Sequence, residues 1–452
     1  MVYAVIYPLL ILLYLSSLFV PVPFMQYSTG VISVIVILLA ATRAKGLYLY
    51  TGLVFLVIGI SMFIVKGLPW HTFVLQFHSM LGLLGLFTVL LFMNILIYLN
   101  RFHKTIESLL KQRMISWGQL YKRSSMASQF IANFLNIATV PLVAQSLKSS
   151  LSGFPEEKKH SFNSKSILRS YSLALSWSPL DAAVGTAMGI TGANFLVILP
   201  IMLGLAIVTL LTDIGLSNIR YRTVNFISYG INVAGSSTSS ILGKLLKLAV
   251  FLLLFVVVVS MVQMSLGQSF LLSIVLVLPL YCWIWSVVQG KSRRFMSLIA
   301  GNWIKHTGSL SNYFFMFLCA ALFVNMVSDS DGVMFLHAIF ERVIDVPLYF
   351  YLLTAAYFLA VSLIGFHPLV SLAVFAAITQ SLLEQLSDIS FTVVLVSCCM
   401  STIMYSPFNM SVALLAKELN INPYRITVWN LAFAFGYVLA GISIAILLDL
   451  LF

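Results

Sequence analysis

Charge is what this sequence has least of. Of 452 residues, only 8% are Asp, Glu, Lys or Arg, while 61% are apolar. That composition cannot clothe a soluble globule, and the mean hydropathy of +1.04 places the chain in a bilayer. Cysteine is scarce as well. Cys282, Cys319, Cys398 and Cys399 all lie in apolar segments, none with metal-ligand spacing, and the last two are adjacent. A disulfide framework and a zinc site are therefore excluded, and the four read as packing residues. Segments of alternating polarity are missing, which excludes a transmembrane barrel. A Gly-rich phosphate loop, a His-Glu-x-x-His motif and paired intramembrane aspartates are missing too. Nothing in the sequence supports an enzyme or a bound organic cofactor.

What is present is a succession of apolar runs long enough to cross a bilayer as helices. Hydropathy places spans near 3–20, 28–42, 47–65, 74–99, 170–190, 194–216, 245–265, 268–289, 311–327, 390–416 and 425–448. The opening run lacks a charged leader region and reads as a retained first span. Two further segments, 124–147 and 347–383, are too long for one comfortable span and too short for two. Each reads as a re-entrant hairpin, the first with its tip near Asn136 and the second near His367. The expected fold is thus an all-α polytopic membrane protein, with about eleven transmembrane helices plus two hairpins.

The net charge of +12 does not indicate nucleic acid, because the basic residues lie between spans. Arg43, Lys45, the cluster from Arg101 to Arg123, Arg220, Arg222 and Lys291 to Arg294 all fall on one side if the N-terminus is cytoplasmic. The opposite side collects Asp329, Asp331, Glu341, Asp345, Glu384 and Asp388. This predicts a multi-pass plasma (cytoplasmic) membrane protein with its C-terminus external. Asp213 reads as a solvated helix terminus. The segment 295–309 reads as a helix lying along the cytoplasmic surface, and 223–240 as a connecting arm.

The two interrupted regions repeat. "ATVPLV" is followed, 38 residues after Pro141, by "SWSPLD"; "GFHPLV" is followed, 39 residues after Pro368, by "MYSPFN". One hairpin opens inward and the other outward, so the halves form an inverted repeat. Corresponding interrupted segments in inverted halves point to a transporter's site. Pro179 and Pro407 each remove a backbone donor and break a helix. Ser178 and Ser406 bring hydroxyls, and Asp181 and Asn409 bring side-chain oxygens. A carboxylate inside a membrane is costly and marks a candidate functional site.

At these motifs the chain resembles the ion transporter superfamily, most nearly the divalent anion:sodium symporter architecture. "FLNIATVPLV" stands where that family places Ser-Asn-Thr at its first hairpin tip, with Asn136 and Thr139 keeping part of the pattern. "SPLD", "SPFN" and the longer "VSCCMSTIMYSPFNMSVALLA" resemble its broken spans. The second tip, Gly365-Phe366-His367-Pro368, departs from the pattern. The resemblance implies a homodimer in the lipid bilayer, with a mobile transport domain moving like an elevator against a scaffold. On that division, residues 1–123 form scaffold helices and 124–216 the first transport repeat. Residues 217–310 hold an arm, scaffold spans and the interfacial helix, and 311–452 the second repeat. The substrate would be a small anion, a carboxylate or oxyanion.

Candidate site residues are Asn136, Thr139, Ser178, Pro179, Asp181, His367, Ser406, Pro407 and Asn409. A sodium ion would sit near Asn136, Asp181 and Asn409, or a proton would serve as the coupling ion. Asp181 has an alternative role in bonding the backbone freed by Pro179, and His367 in capping the helix begun by Pro368. Two rival functions share the pattern. One is a cation/proton antiporter with Asp181 and His367 titrating. The other is a non-transporting membrane component that handles a lipid-linked or cell-envelope molecule.

Overall fold

The computed structural model describes residues 2–20, 22–100, 116–151, 156–222 and 238–451, and all regular structure among them is helical. The first four helices are α1 (Tyr3–Phe19), α2 (Pro23–Ala41), α3 (Leu47–Val65) and α4 (Leu81–Leu99), with a 3₁₀ stretch at Trp70–Met80 before α4. Next come α5 (Trp117–Leu135), α6 (Thr139–Ser150) and α7 (Glu156–Ser164), and a π-helical turn at Lys165–Arg169 leads into α8 (Ser170–Leu175). After a break follow α9 (Ala182–Thr191), α10 (Phe195–Tyr221), α11 (Thr238–Leu266), α12 (Phe270–Val288) and α13 (Ser292–Ser309). The chain continues through α14 (Ser311–Val327), α15 (Asp331–Glu341), α16 (Pro347–Ile364) and α17 (Pro368–Thr379). It ends with α18 (Asp388–Tyr405), α19 (Met410–Leu419) and α20 (Pro423–Leu451).

The chain divides into two compact units. The first comprises Met1–Leu96, Leu266–Asp345 and Leu369–Leu383. Its tightest pairing sets α3 against α14. Gly52 and Gly59 face Phe315 and Leu322 there, so a methyl group at either glycine would lie under 3 Å from a neighbour. Small residues at such contacts let two backbones approach, the usual way apolar helices find packing energy where lipid competes for every side chain. Tyr7 stacks on Phe314 and donates to the Ser311 hydroxyl at 3.0 Å, seating α1 beside α14.

The second unit comprises Ile97–Ser265, Val346–Pro368 and Glu384–Phe452. In it α18 packs along α20 and against α9 and α16, α5 packs on α8, and α19 packs on α6. All nine candidate site residues belong to this unit.

Among the described residues nine helical stretches are long and apolar enough to span, or up to ten if the bent pair α13–α14 counts as one. The sequence predicted about eleven. Part of the difference is length: α1 has only 17 residues, and the described apolar part of α11 runs from Val250 to Leu266. The region 347–383 differs the other way. Pro347–Ile364 and Pro368–Gln385 each reach span length, because a 3₁₀ turn carries the second helix past the expected end. The 295–309 segment lies within α13, which is bent by 48° from α14.

Three local expectations are corrected. The first hairpin arm begins at Trp117, not at residue 124, because Ser116 caps the helix by accepting from the Gln119 amide. The charged stretch between the hairpin ending near 147 and the span beginning near 170, which hydropathy leaves as a connecting loop, is helical from Glu156 onward. Asp213 is no solvated terminus; only 2% of it is exposed, and it is paired with Arg169. The connecting arm falls largely on 223–237, outside the described residues.

Candidate functional site

Ser-Pro-Leu-Asp and Ser-Pro-Phe-Asn fold into the same local structure. In the first, the Asp181 amide donates to the Ser178 carbonyl at 3.2 Å; in the second, the Asn409 amide donates to the Ser406 carbonyl at 3.0 Å. Each is a four-residue turn with proline at its second position, where the fixed φ favours turning. Each fourth residue then caps a new helix. Asp181 Oδ1 accepts from the Ala183 and Val184 amides at 2.9 and 3.4 Å, opening α9. Asn409 Oδ1 accepts from the Ser411 amide at 3.1 Å, opening α19. Both caps have extended backbone, as N-cap residues require. The motif is thus a turn followed by a helix start, and the short polar side chain closes the new helix.

The breaks differ in how the lost hydrogen bond is replaced. Pro179 would have bonded the Leu175 carbonyl in a continuous helix; that carbonyl accepts instead from the Ser178 amide at 3.0 Å. Pro407 frees the Ile403 carbonyl in the same way, and there the Ser411 hydroxyl donates to it at 2.5 Å. Thr427 of α20 donates to the neighbouring Tyr405 carbonyl at 2.7 Å. These exchanges satisfy the Leu175, Ile403 and Tyr405 carbonyls, as burial demands.

Each break is also tied to the hairpin segment that precedes it. Trp177 Nε1 donates to the Gln129 side-chain oxygen of α5 at 3.1 Å when that amide is oriented so that its nitrogen donates to the Ser170 carbonyl. Tyr171 donates to Asn136 Oδ1 at 2.8 Å. At the other break the Ser406 hydroxyl donates to the Ser362 carbonyl of α16 at 2.8 Å, and the Ser362 and Tyr405 hydroxyls lie 2.9 Å apart. Gly365, in a left-handed conformation with φ 114°, has the Phe408 ring against it. Trp177 and Tyr405, equivalent in the repeated motif, therefore each bond a polar side chain on a preceding arm.

Other site residues fall as follows. Asn136 lies at the first hairpin tip with φ 45°, unusual for a residue other than glycine. Thr139 is fully buried, and its hydroxyl has no hydrogen-bond partner among the described residues. Asp181 is 8% exposed, and among the described residues only one of its two carboxylate oxygens accepts a hydrogen bond. His367 is half-buried between α16 and α17. Among the described residues, no three His, Cys, Asp or Glu side chains gather as a metal site. Any cation here would be held by carbonyl and hydroxyl oxygens plus one carboxylate, the ligand set of hard ions.

Sequence reasoning missed a buried polar network in the same unit. Arg169 Nη1 donates to Asp213 Oδ1 at 2.5 Å, its Nε to Asn430 Oδ1 at 3.0 Å, and its Nη2 to the Trp429 carbonyl at 2.9 Å. Tyr121 donates to the other Asp213 oxygen, and Asn430 donates to the Ser164 hydroxyl at 2.7 Å. The π-helical turn ending at Arg169 aims the guanidinium at α10 and α20. Single-turn π bulges recur at functional sites. Nothing local in the sequence links Arg169 to residues 44 and 261 positions away.

No protein-family model matches the chain, and no curated protein matches it. Among solved structures, the YdaH transporter of Alcanivorax borkumensis, whose crystal structure is described as having an unusual topology, matches with a TM-score of 0.53 at 15% identity. The match covers 88% of this chain and 98% of that one. At that identity the likeness establishes the fold: this chain is a polytopic helical membrane protein built like a membrane transporter. The narrower likeness to divalent anion:sodium symporters remains a resemblance of motifs.

Proposed function

We propose that the protein is a secondary active transporter of a small anion, a carboxylate or oxyanion, coupled to sodium or protons. The observation that carries this reading is the pair of equivalent turn-and-cap breaks within one compact unit. Each break ends one helix and starts another inside an apolar segment. The new N-termini of α9 and α19 present positive dipole ends that attract an anion. The second Asp181 oxygen and the unpartnered Thr139 hydroxyl offer oxygen to a cation. Broken helices at corresponding positions serve this double purpose in secondary transporters.

In this reading the second unit holds the site and moves as the elevator's car, and the first belongs to the scaffold. The protein works as a homodimer in the plasma membrane with its N-terminus cytoplasmic. Coupling runs through Asp181, because it is the one charge that distinguishes the two breaks.

Flux through proteoliposomes tests this. Carboxylates and oxyanions are offered under imposed sodium or proton gradients. The expected result is gradient-driven uptake of at least one anion, abolished by Asp181→Asn. Absence of flux for every anion, with folded protein in the bilayer, would reject the small-anion reading.

A further inference from the structure

Five helices of the first unit meet at one corner: α1 and α3 start there, α2 ends there, and α13 turns into α14. The Lys45 amide donates to Asn312 Oδ1 at 2.9 Å, joining the α2–α3 turn to the start of α14. The Arg43 guanidinium lies over the Tyr3 ring, 4.4 Å from its centre, and the Tyr3 and Thr42 hydroxyls are 3.1 Å apart. Gly308 leaves the guanidinium room, since a Cβ there would stand 3.2 Å from Arg43 Nη1. Lys305 lies one turn before Gly308 on α13. Arg43, Lys45 and Lys305 are all exposed. The corner has no counter-charge of its own. Residues 1–96, 266–328 and 369–383 contain no Asp or Glu, so the carboxylates of this unit are Asp329, Asp331, Glu341 and Asp345. They follow the far end of α14, where Asp329 pairs with Lys66 at 3.4 Å. The 17 residues of α14 put about 25 Å between its two ends. Charges are screened over about 8 Å at physiological ionic strength, so those acids do not neutralise the corner.

We infer that this corner binds the phosphate headgroup of an anionic phospholipid. Its depth follows from the helices themselves. α2 and α3 are apolar, 19 residues each, and long enough to span, so the corner is where they leave the hydrocarbon. Apolar side chains are exposed among the bases: Leu47 at 41% and Ile304 at 52%. A soluble anion would satisfy the bases and leave these side chains in water, whereas an amphiphile serves both. Orientation in the bilayer asks only for positive charge on one side. It does not ask that a guanidinium be held on an aromatic ring in a gap left by glycine. That arrangement presets a donor fork of the kind that matches phosphate. A zwitterionic choline headgroup brings its own cation to the bases and gains less. This site does not depend on what the protein transports.

The test is native mass spectrometry of the full chain, released from nanodiscs that hold equal parts of phosphatidylglycerol and phosphatidylcholine. The expected result is that the protein retains phosphatidylglycerol in preference to phosphatidylcholine. Near a membrane surface each base strengthens such binding about fivefold, so Arg43→Gln and Lys305→Gln should each lower the retention by about that factor. Lys66→Gln, at the far end of the same unit, should leave it unchanged. Equal retention of the two lipids by the native chain would overturn the inference, and would do so even if a variant failed to fold. An undiminished preference in the folded double variant Arg43→Gln, Lys305→Gln would overturn it as well, as would an equal fall in Lys66→Gln. Displacement of the lipid by an equal concentration of glycerol phosphate would mark a soluble anion's site instead and reject the lipid.

Discussion

Arg169 and Asp213 form an ion pair with both side chains almost wholly buried, 6% and 3% exposed. Three elements meet there, because Tyr121 of α5, Asp213 of α10 and Asn430 of α20 all bond within the cluster. The guanidinium also lies over the Phe433 ring, 4.4 Å from its centre. Isolated charges at this depth would be prohibitive; the pair persists because nearly every donor has an acceptor. It fixes the π-helical turn, and through it the direction of α8 leading to the first break.

Removing one partner is therefore expected to be costly. Asp213→Ala leaves a buried guanidinium uncompensated and should destabilise by about 3–5 kcal/mol. Arg169→Lys keeps the charge but loses the fork that reaches Asn430 and Trp429 together, so it should not restore the native midpoint. The joint replacement Arg169→Met, Asp213→Leu should cost less than the sum of the single losses. Thermal unfolding of the detergent-solubilised chain, followed by tryptophan fluorescence, reads all three. Additive losses would show that the two residues act separately.

Asp181 can be separated into a cap and a charge. Asn at that position retains the oxygen that accepts from Ala183 and Val184, so Asp181→Asn should stay within about 1 kcal/mol of native stability. Asp181→Ala loses the cap and should cost about 0.5–2 kcal/mol. Under the transport reading, both variants lose gradient-coupled flux although only one is destabilised. Normal coupling in Asp181→Asn would reduce the residue to its structural role.

The sequence made the helical class legible through composition, and the two breaks legible through their repeated Ser-Pro-x-Asp/Asn spelling. It also carried, unnoticed, the physics of that spelling. Proline at the second turn position and Asp or Asn at the fourth specify a turn and an N-cap, and both breaks adopt them. Long-range partners had no such spelling. Ser406 and Ser362, or Arg169 and Asn430, meet only because helices distant in sequence pack together. Hydropathy likewise read Asp213 as an end, since it sees the apolar run but not the arginine folded onto it.

Ser411 is the residue that makes the second break affordable to the backbone. Its hydroxyl replaces the amide that Pro407 lacks at the Ile403 carbonyl. Ser411→Ala should strand that carbonyl and cost about 1–3 kcal/mol. Pro407→Ala supplies an amide, so the double variant should recover much of the loss. The couplings are read as a double-mutant cycle on unfolding midpoints, with flux measured in parallel. Recovery of stability with loss of transport is expected, because the break itself is then closed. Independent effects would mean that the serine and the proline do not share the carbonyl.

Gly441 sets how closely α20 approaches α18. A methyl group there would stand 2.4 Å from the Ser397 hydroxyl oxygen and 2.8 Å from its Cβ. Both residues lie in the body of their helices, so neither backbone has a free end to yield. Gly441→Ala should therefore destabilise by about 1–3 kcal/mol through overpacking. The Ser397 hydroxyl faces Tyr437 of α20, the helix that carries Gly441. Ser397→Gly in the Gly441→Ala background should then relieve the clash and return most of the lost stability. A rescued midpoint assigns the damage to this single contact. A midpoint that stays low places it elsewhere along the α18–α20 seam, where Thr427 and Tyr405 also join the two helices.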